Sequence, residues 1–308
     1  MKASYFERHG GPDVLIYGDL PDPVPGPGEV IVDIHAASVN AADAKVRAGG
    51  TYGDIESFPY ILGRDFSGVV ASLGEGAKDF AVGDAVFGVC QAGQEGTYAE
   101  KIAMDQALLA AKPDSLSHID AAALALPGLT AIISIEETLK LKSGEKILIQ
   151  GGAGGVAGFA IEFAKHLGAH VITTCSARNI DYVRSLGADE VIDYTTQDFA
   201  EILTDCDAVF ETVGGEVTQK SFAVLKPGGR LAAIASGVKA PPSPRDDVQS
   251  LRPAVGRDRK YMARIIALHD AGVVHVPPLT VYSLEEAAAA SAKSESRHLT
   301  GKLVIKVR

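Results

Sequence analysis

The chain has 308 residues, with 39 Asp and Glu against 29 Lys and Arg for a formal net charge of −10. It contains no basic run interleaved with aromatics, so it lacks the electrostatic footprint of a nucleic-acid binder, and its length suffices for two domains with separate cores. Its three cysteines, Cys90, Cys175 and Cys206, are far apart and form no C-x-x-C pair. That pattern argues against a disulfide framework or a cysteine-rich zinc site and for a reducing compartment. No apolar stretch reads as the ~20 residues of a membrane span or as a signal peptide, so a soluble cytoplasmic protein without membrane partners is expected.

Met1–Glu7 reads as an edge strand. Val30–Ala36, Gly68–Leu73, Asp84–Val89 and Tyr98–Ala103 follow as short strands, separated by turn signals such as Pro25–Gly28, Gly74–Gly76 and Gly83-Asp84. This spacing predicts a β-rich, barrel-like first domain. Helices come next, at Ile119–Ala125 and Leu129–Leu139, with Pro127-Gly128 as a break between them. An alternating α/β rhythm then runs through Ile180–Leu186, Glu190–Ile192, Phe199–Ile202, Ala208–Phe210, Val217–Leu225 and Arg230–Ile234, as a parallel sheet requires. Pro241–Asp247 reads as a surface loop. Helices at Arg259–Asp270 and Leu284–Ser294 precede a last strand, Lys302–Val307. That return of β texture predicts that the C-terminus rejoins the first domain and leaves the α/β region as an insertion.

The most informative stretch is Lys146–Ala169, in which an apolar strand enters a glycine-rich turn and then an amphipathic helix. Gly152-Ala-Gly154-Gly155-Val156-Ala157 satisfies G-x-G-x-x-[G/A], the dinucleotide-binding start of a βαβ unit. In that reading Gly152 makes the tight turn, Gly154 lets backbone approach a pyrophosphate, and Ala157 lets the helix lie close on the sheet. Amides at the helix start, including those of Gly155 and Val156, would hold the phosphates. The second strand, Val171–Thr174, ends in Thr173–Arg178, with no carboxylate in the turn where NAD sites place one. Ser176 can donate to a 2′-phosphate and Arg178 can pair with it through two guanidinium donors, so NADPH is the expected cofactor.

The eight histidines form neither H-E-x-x-H nor H-x-x-E-H, so no metal centre is expected. Cys90, in a short apolar strand, reads as a buried small hydrophobe.

Several motifs together resemble the zinc-independent NADPH:quinone oxidoreductase branch of the medium-chain dehydrogenase/reductase superfamily, which also holds enone and alkenal reductases. They are Val39–Lys45, Leu62–Gly68, Gly83–Gly88, Gly96–Glu100, Leu126–Ala131, Leu186–Asp189, Lys226–Arg230 and Gly301-Lys302, in order and over nearly the full length. Gly63-Arg64-Asp65 stands where zinc alcohol dehydrogenases of the superfamily carry Gly-His-Glu. The resemblance implies an α/β fold: a discontinuous groES-like β-barrel domain, residues 1–123 and 260–308, and a Rossmann NADPH-binding domain, residues 124–259. It also implies frequent homodimerisation and a small apolar conjugated carbonyl or quinone as substrate.

Family position assigns Asn40 and Asp43 to the acceptor side near the nicotinamide, Thr130 to a place beside the cofactor, and Tyr194 to the 2′-phosphate. Each has a plainer reading. Asn40 is a favoured N-cap for Ala41–Val46, Asp43 can pair with Lys45 or Arg47, and Thr130 can be helix filler. Tyr52, in the loop Gly49–Gly53, could supply a hydroxyl to the acceptor or simply order the loop. The expected reaction is hydride transfer to a quinone or to the β-carbon of an α,β-unsaturated carbonyl. Two alternatives are zinc-independent alcohol/aldehyde oxidoreduction and a catalytically silent NADPH-binding sensor or structural protein.

Overall fold

A computed structural model describes residues 1–50, 55–91, 93–237 and 239–308. The chain divides into two compact units, one of residues 1–126, 257–270 and 276–308, the other of residues 127–256 and 271–275.

The first unit is built on the strand Glu29–Ser38, which is buried over Val30–Val32 and Ala36–Ser38 and alternates only between them. It pairs antiparallel with Asp65–Leu73, with Lys101–Asp105 and with the C-terminal strand Lys302–Lys306. The terminal strand therefore joins the N-terminal β region, as the return of β texture predicts. Ala85–Val89 and Leu109–Ala111 extend the sheet on one side, and Leu279–Ser283 lies parallel to Lys302–Lys306 on the other. A smaller sheet orders Ile16–Asp19, Lys2–Phe6 and Tyr60–Ile61. Phe6, Val32, Ile34, Phe66, Leu109 and Ile305 are among the buried apolar residues that fill this unit. The expected strand Tyr98–Ala103 begins only at Lys101, because the Tyr98 carbonyl accepts from Ser4 N at 2.8 Å and the chain there makes only the bridge Ala3–Ala99.

The second unit carries six parallel strands in the order Glu190–Asp193, His170–Cys175, Lys146–Ile149, Cys206–Glu211, Leu225–Ala233, Gln249–Leu251. Numbered along the chain this is 3-2-1-4-5-6, the doubly wound order whose switch point lies between the first and fourth strands. The helix Gly155–His166 turns Ala157, Phe159, Ala160, Ile161, Phe163 and Ala164 inward. Residues 271–275 join this unit because His275 donates its backbone N–H to Glu162 Oε2 (3.1 Å) while its ring Nδ1 lies 2.7 Å from Oε1.

Pro127-Gly128 does not break the helix. It runs unbroken from His118 to Ile132 with Pro127 inside and widens into a π-helical stretch over Ile133–Thr138. Proline removes one ladder donor; beside it the Leu126 N–H is taken by Asp65 Oδ2 at 3.1 Å, and Ser134 Oγ bonds back to the Thr130 carbonyl at 2.7 Å. Uninterrupted, the helix His118–Thr138 is 21 residues long and matches a membrane span in length and composition, contrary to the expectation of none; 83% of its most apolar stretch is buried, so it is a core helix. The expected helix Val217–Leu225 stops at Ser221, and Leu225 already starts the next strand.

Candidate active site

The turn after Lys146–Ile149 is fixed by side chains from its neighbours. Gln150 is buried, accepts from Thr174 Oγ1 at 2.7 Å and donates to Ser221 Oγ at 3.1 Å. Gly151 N–H bonds Thr174 Oγ1 at 3.1 Å, and Gly152 N–H bonds the Thr174 carbonyl at 2.9 Å. The left-handed turn falls on Gly151, at φ 72°, rather than on Gly152. Gly152 is required for a different reason: a Cβ there would collide with Thr173 Oγ1. Gly154 contrasts with both, since a Cβ on it would meet only the Gly151 carbonyl at 3.4 Å. Its bare backbone therefore faces open space at a helix start.

Gly154 is the N-cap of that helix, and the first ladder bond runs from Gly158 N to Gly154 O at 2.7 Å. The N–H groups of Gly155, Val156 and Ala157 are left outside the ladder, and Gly155 and Val156 are partly exposed. Open space beside unused amides at a helix N-terminus fits a pyrophosphate. The helix also comes close to its neighbours at Gly158, where a Cβ would lie 3.3 Å from Leu186.

Ser176 caps the short turn Ala177–Asn179 at the carboxyl end of the second strand, and Arg178 is exposed there. Tyr194 follows the third strand, is 52% exposed, and its N–H bonds the Cys175 carbonyl at 3.2 Å. Thus Ser176 and Arg178 follow one strand end and Tyr194 follows the adjacent one. That turn holds no carboxylate, but the neighbouring strand end brings one beside it. Asp193 is the register partner of Cys175, and its Oδ1 accepts from Thr195 N (3.0 Å) and Thr195 Oγ1 (2.7 Å). These bonds hold its pKa below the usual carboxylate range, so it is ionised at neutral pH, with its charge directed into its own turn. Thr130 is buried in the helix His118–Ile132.

A residue the motif did not reveal organises the other side of the switch point. Glu211 is fully buried at the end of the fourth strand and accepts from Val213 N (2.6 Å), Gly214 N (2.7 Å) and Thr218 Oγ1 (2.9 Å). Thr212 Oγ1 donates to the Gln150 carbonyl at 2.8 Å, tying this loop to the glycine turn.

In the first unit Asn40 and Asp43 belong to one buried polar cluster. Asn40 stands at the N-cap of the helix Ala41–Ala48, and its backbone N–H donates to Asp43 Oδ2 at 2.8 Å. Its side chain turns inward: Nδ2 donates to Asp65 Oδ1 at 2.8 Å and to the Ser38 carbonyl at 3.2 Å, while Oδ1 accepts from Lys302 Nζ at 2.9 Å. A carboxylate on one side and an ammonium on the other fix which way the amide faces. Both Nδ2 hydrogens are thereby spent, so the Asn40 side chain is a held element of the cluster rather than a free donor to an acceptor carbonyl.

Asp43 is 2% exposed and accepts from the Tyr98 hydroxyl at 2.7 Å. Arg64 Nε lies 3.8 Å from its Oδ1, so its charged neighbour is Arg64, whereas Arg47 is bound elsewhere, to the Gly10 carbonyl, Ser291 and Glu295. Burial pushes the Asp43 carboxyl up to about 6, with Arg64 opposing. Asp65 and Lys302, which the sequence motifs contain without a site role, complete the cluster. Asp65 is fully buried and also accepts from Ser38 Oγ at 2.9 and 2.8 Å. Lys302, 7% exposed, adds a 2.7 Å bond to the Val39 carbonyl. Their signal was a charged residue inside each of two otherwise apolar strand starts. Tyr52 lies outside the described residues. Among the described residues no group of three or more His, Cys, Asp or Glu is placed to hold a metal ion.

A 3-2-1-4-5-6 parallel sheet with an anion-ready helix start, joined in one chain to a unit rich in antiparallel strands, defines a dinucleotide-dependent oxidoreductase. Residues 26–114 match the Alcohol dehydrogenase GroES-like domain family, and residues 186–305 match the Zinc-binding dehydrogenase family. The chain is 33% identical, over 99% of its length and 79% of the relative's, to the NADPH-dependent alkenal/one oxidoreductase, chloroplastic, of Arabidopsis thaliana. It is 32% identical to the 2-haloacrylate reductase of a Burkholderia species, over 99% and 98% of the two chains. Among solved structures, the quinone oxidoreductase from Coxiella burnetii aligns with TM-score 0.92 at 31% identity, covering 100% of this chain and 99% of that one. The Escherichia coli quinone oxidoreductase complexed with NADPH aligns with TM-score 0.91 at 26% identity, over 100% of both. The chain belongs to the zinc-independent quinone/enone reductase branch of the medium-chain dehydrogenase/reductase superfamily, and is an NADPH-linked oxidoreductase of quinone- or enone-type small molecules.

Proposed function

We propose that the protein reduces a quinone to its hydroquinone, or the C=C bond of an α,β-unsaturated carbonyl compound to the saturated product. NADPH supplies the hydride when bound. The amides of Gly155 and Val156 hold its pyrophosphate, Gly154 admits it, and Thr130 lies on the same unit. Ser176, Arg178 and Tyr194 take the 2′-phosphate. The open backbone at Gly154 and the exposed Arg178 carry the reading.

On the acceptor side, hydride delivery puts negative charge on the carbonyl or quinone oxygen. The ammonium of Lys302 and the guanidinium of Arg64 give the Asn40–Asp43 cluster fixed positive groups that favour such an oxygen. Asp43, half-titrated near pH 6, is held by Asn40 N–H and Tyr98 and serves to position the helix Ala41–Ala48. Self-association through a sheet edge, for which Gln249–Leu251 offers a short terminal strand, is part of the same reading and is measured by sedimentation.

The test is NADPH oxidation across quinones, alkenals and cyclic enones, with the product identified in each case. Saturated ketone or aldehyde and hydroquinone are expected. An allylic alcohol as the main enone product would place the hydride on the carbonyl carbon and favour alcohol/aldehyde oxidoreduction. NADPH binding without turnover of any acceptor would favour the sensor.

A further inference from the structure

Arg257 lies where the chain re-enters the first unit, and its guanidinium is not accounted for. Its Nε and Nη1 are buried, and among the described residues no group accepts from either. The titratable and charged groups that face it are Arg64, Cys90, Asp65 and Glu95. Neither carboxylate is available. Asp65 already accepts from Ser38 Oγ, Asn40 Nδ2 and Leu126 N. Glu95 gives Oε1 to Arg64 at 2.6 Å and Oε2 to the Tyr60 hydroxyl. Cys90 is fully buried and its thiol is pushed above the usual range by that burial, so it stays neutral. Arg64 repels Arg257 rather than compensating it.

An arginine remains charged in a protein, and native structures rarely bury guanidinium nitrogens without acceptors. The cluster is therefore short of one oxyanion. The residue itself keeps partial solvent exposure. A planar carboxylate is the group that a guanidinium recognises best, through two parallel N–H···O bonds. The phosphates of the dinucleotide share that chemistry, but the second unit already provides for them at Gly155, Val156, Ser176 and Arg178. Arg257 shares its cluster instead with Asp65 and Arg64, and through them with Asn40 and Asp43.

We propose that Arg257 anchors a carboxylate on the acceptor, so that the preferred substrate class is an α,β-unsaturated carbonyl compound with a carboxylate attached to the double bond. This rests on the reductase reading above and sharpens it from neutral conjugated carbonyls to anionic ones.

The discriminating pair is 4-oxopent-2-enoate and its methyl ester, which share one conjugated system and differ in charge. Wild-type kcat/KM should favour the acid by about tenfold or more, the scale of a charge-assisted pair. Arg257→Leu should lose at least about tenfold on the acid and change little on the ester, with the NADPH Kd unaltered and thermal stability equal or higher, since an unpaired buried charge has been removed. Equal losses on acid and ester, or no acid preference in the wild type, would overturn the proposal. A weakened NADPH Kd in Arg257→Leu would reassign the guanidinium to the cofactor's phosphates and also overturn it. Should neither acceptor turn over, NADPH oxidation with quinones, alkenals and cyclic enones tells whether the reductase reading itself fails, and calorimetry of the saturated acid, 4-oxopentanoate, on the NADP+-saturated protein still decides the anchor. Binding in the wild type that Arg257→Leu abolishes supports the anchor, and absence of binding in both sinks it.

Discussion

Lys302 Nζ donates to Asn40 Oδ1 at 2.9 Å across 262 residues of sequence, so the last strand of the chain holds the N-cap residue of its first helix. Burial lowers the pKa of Lys302, while Asp65 opposes that shift electrostatically. The ammonium thus stands between an amide oxygen, the Val39 carbonyl and the field of a fully buried carboxylate.

Lys302→Met removes the positive partner and leaves Asp65 buried without it. Breaking one side of such an arrangement typically costs about 3 kcal/mol, because the remaining charge is uncompensated. Urea unfolding should show that loss, and kcat/KM should fall as the Asn40 amide is released. Lys302→Met with Asp65→Asn in the same chain should recover part of the stability. Unchanged stability in the single variant would mean that Asp65 is already protonated.

Asp43 makes folding depend on pH in the sense opposite to a surface carboxylate. Burial raises its folded pKa to about 6 against an ordinary value of 3.8, so the folded state holds a proton that the unfolded state has released between those values. Stability from this group is complete below the unfolded pKa and declines as pH rises to the folded one, by about 3 kcal/mol in all. Asp43→Asn keeps an acceptor for Asn40 N–H and Tyr98 but cannot ionise. The stability of the variant relative to wild type should therefore climb between about pH 4 and pH 6 and level off above. Denaturation curves that stay parallel across that range would show that Asp43 does not titrate there.

Much of this architecture is legible in the chain because it is local. The apolar strand, glycine turn and small-residue helix of Lys146–His166 are contiguous, and the β texture of Lys302–Lys306 is visible without knowing its partner. What is not legible depends on register or distance. Asp193 follows its strand by ordinary spacing, yet only the parallel pairing with Cys175 brings it beside the cofactor turn. Pro127 reads as a break, while the acceptor that the neighbouring Leu126 N–H finds in the fold, Asp65, is 61 residues upstream. Gln249–Leu251 is three residues long and shows no period at all. Asn40 shows how one residue can satisfy two readings: its backbone is the cap, and its side chain belongs to the polar cluster.

Arg178→Ala should weaken NADPH far more than NADH. The side chain is exposed beside Ser176, so its removal disturbs no core, and the bonds lost are those that only a 2′-phosphate receives. Charge-assisted bonds of this kind contribute about 2 kcal/mol, or a factor of roughly 30 in Kd. Tyr194→Phe should have a smaller effect, because a phenol carries no charge. Calorimetric titration of both dinucleotides checks this, and equal losses for the two would place Arg178 away from the phosphate. Asp193→Asn should strengthen NADPH binding modestly by removing a negative charge from the neighbouring strand end.

The last prediction concerns metal. Arg64 stands at the position where zinc relatives carry histidine, and its guanidinium is bound to Glu95 at 2.6 Å while facing Asp43. A cation placed here would meet that guanidinium and the Lys302 ammonium, and Asp65, next in the chain, already has its oxygens engaged by Ser38, Asn40 and Leu126. Like charges and occupied lone pairs both oppose coordination. Extensive dialysis against a chelator should therefore leave NADPH-dependent reduction at full rate, and added zinc should not raise it. Loss of activity on chelation, restored by zinc in proportion to protein, would show that Arg64 moves aside in the working enzyme. Arg64→His separates the two cases further: it should lower activity by breaking the Glu95 pair without creating a zinc requirement, and metal analysis of the purified variant is the measurement.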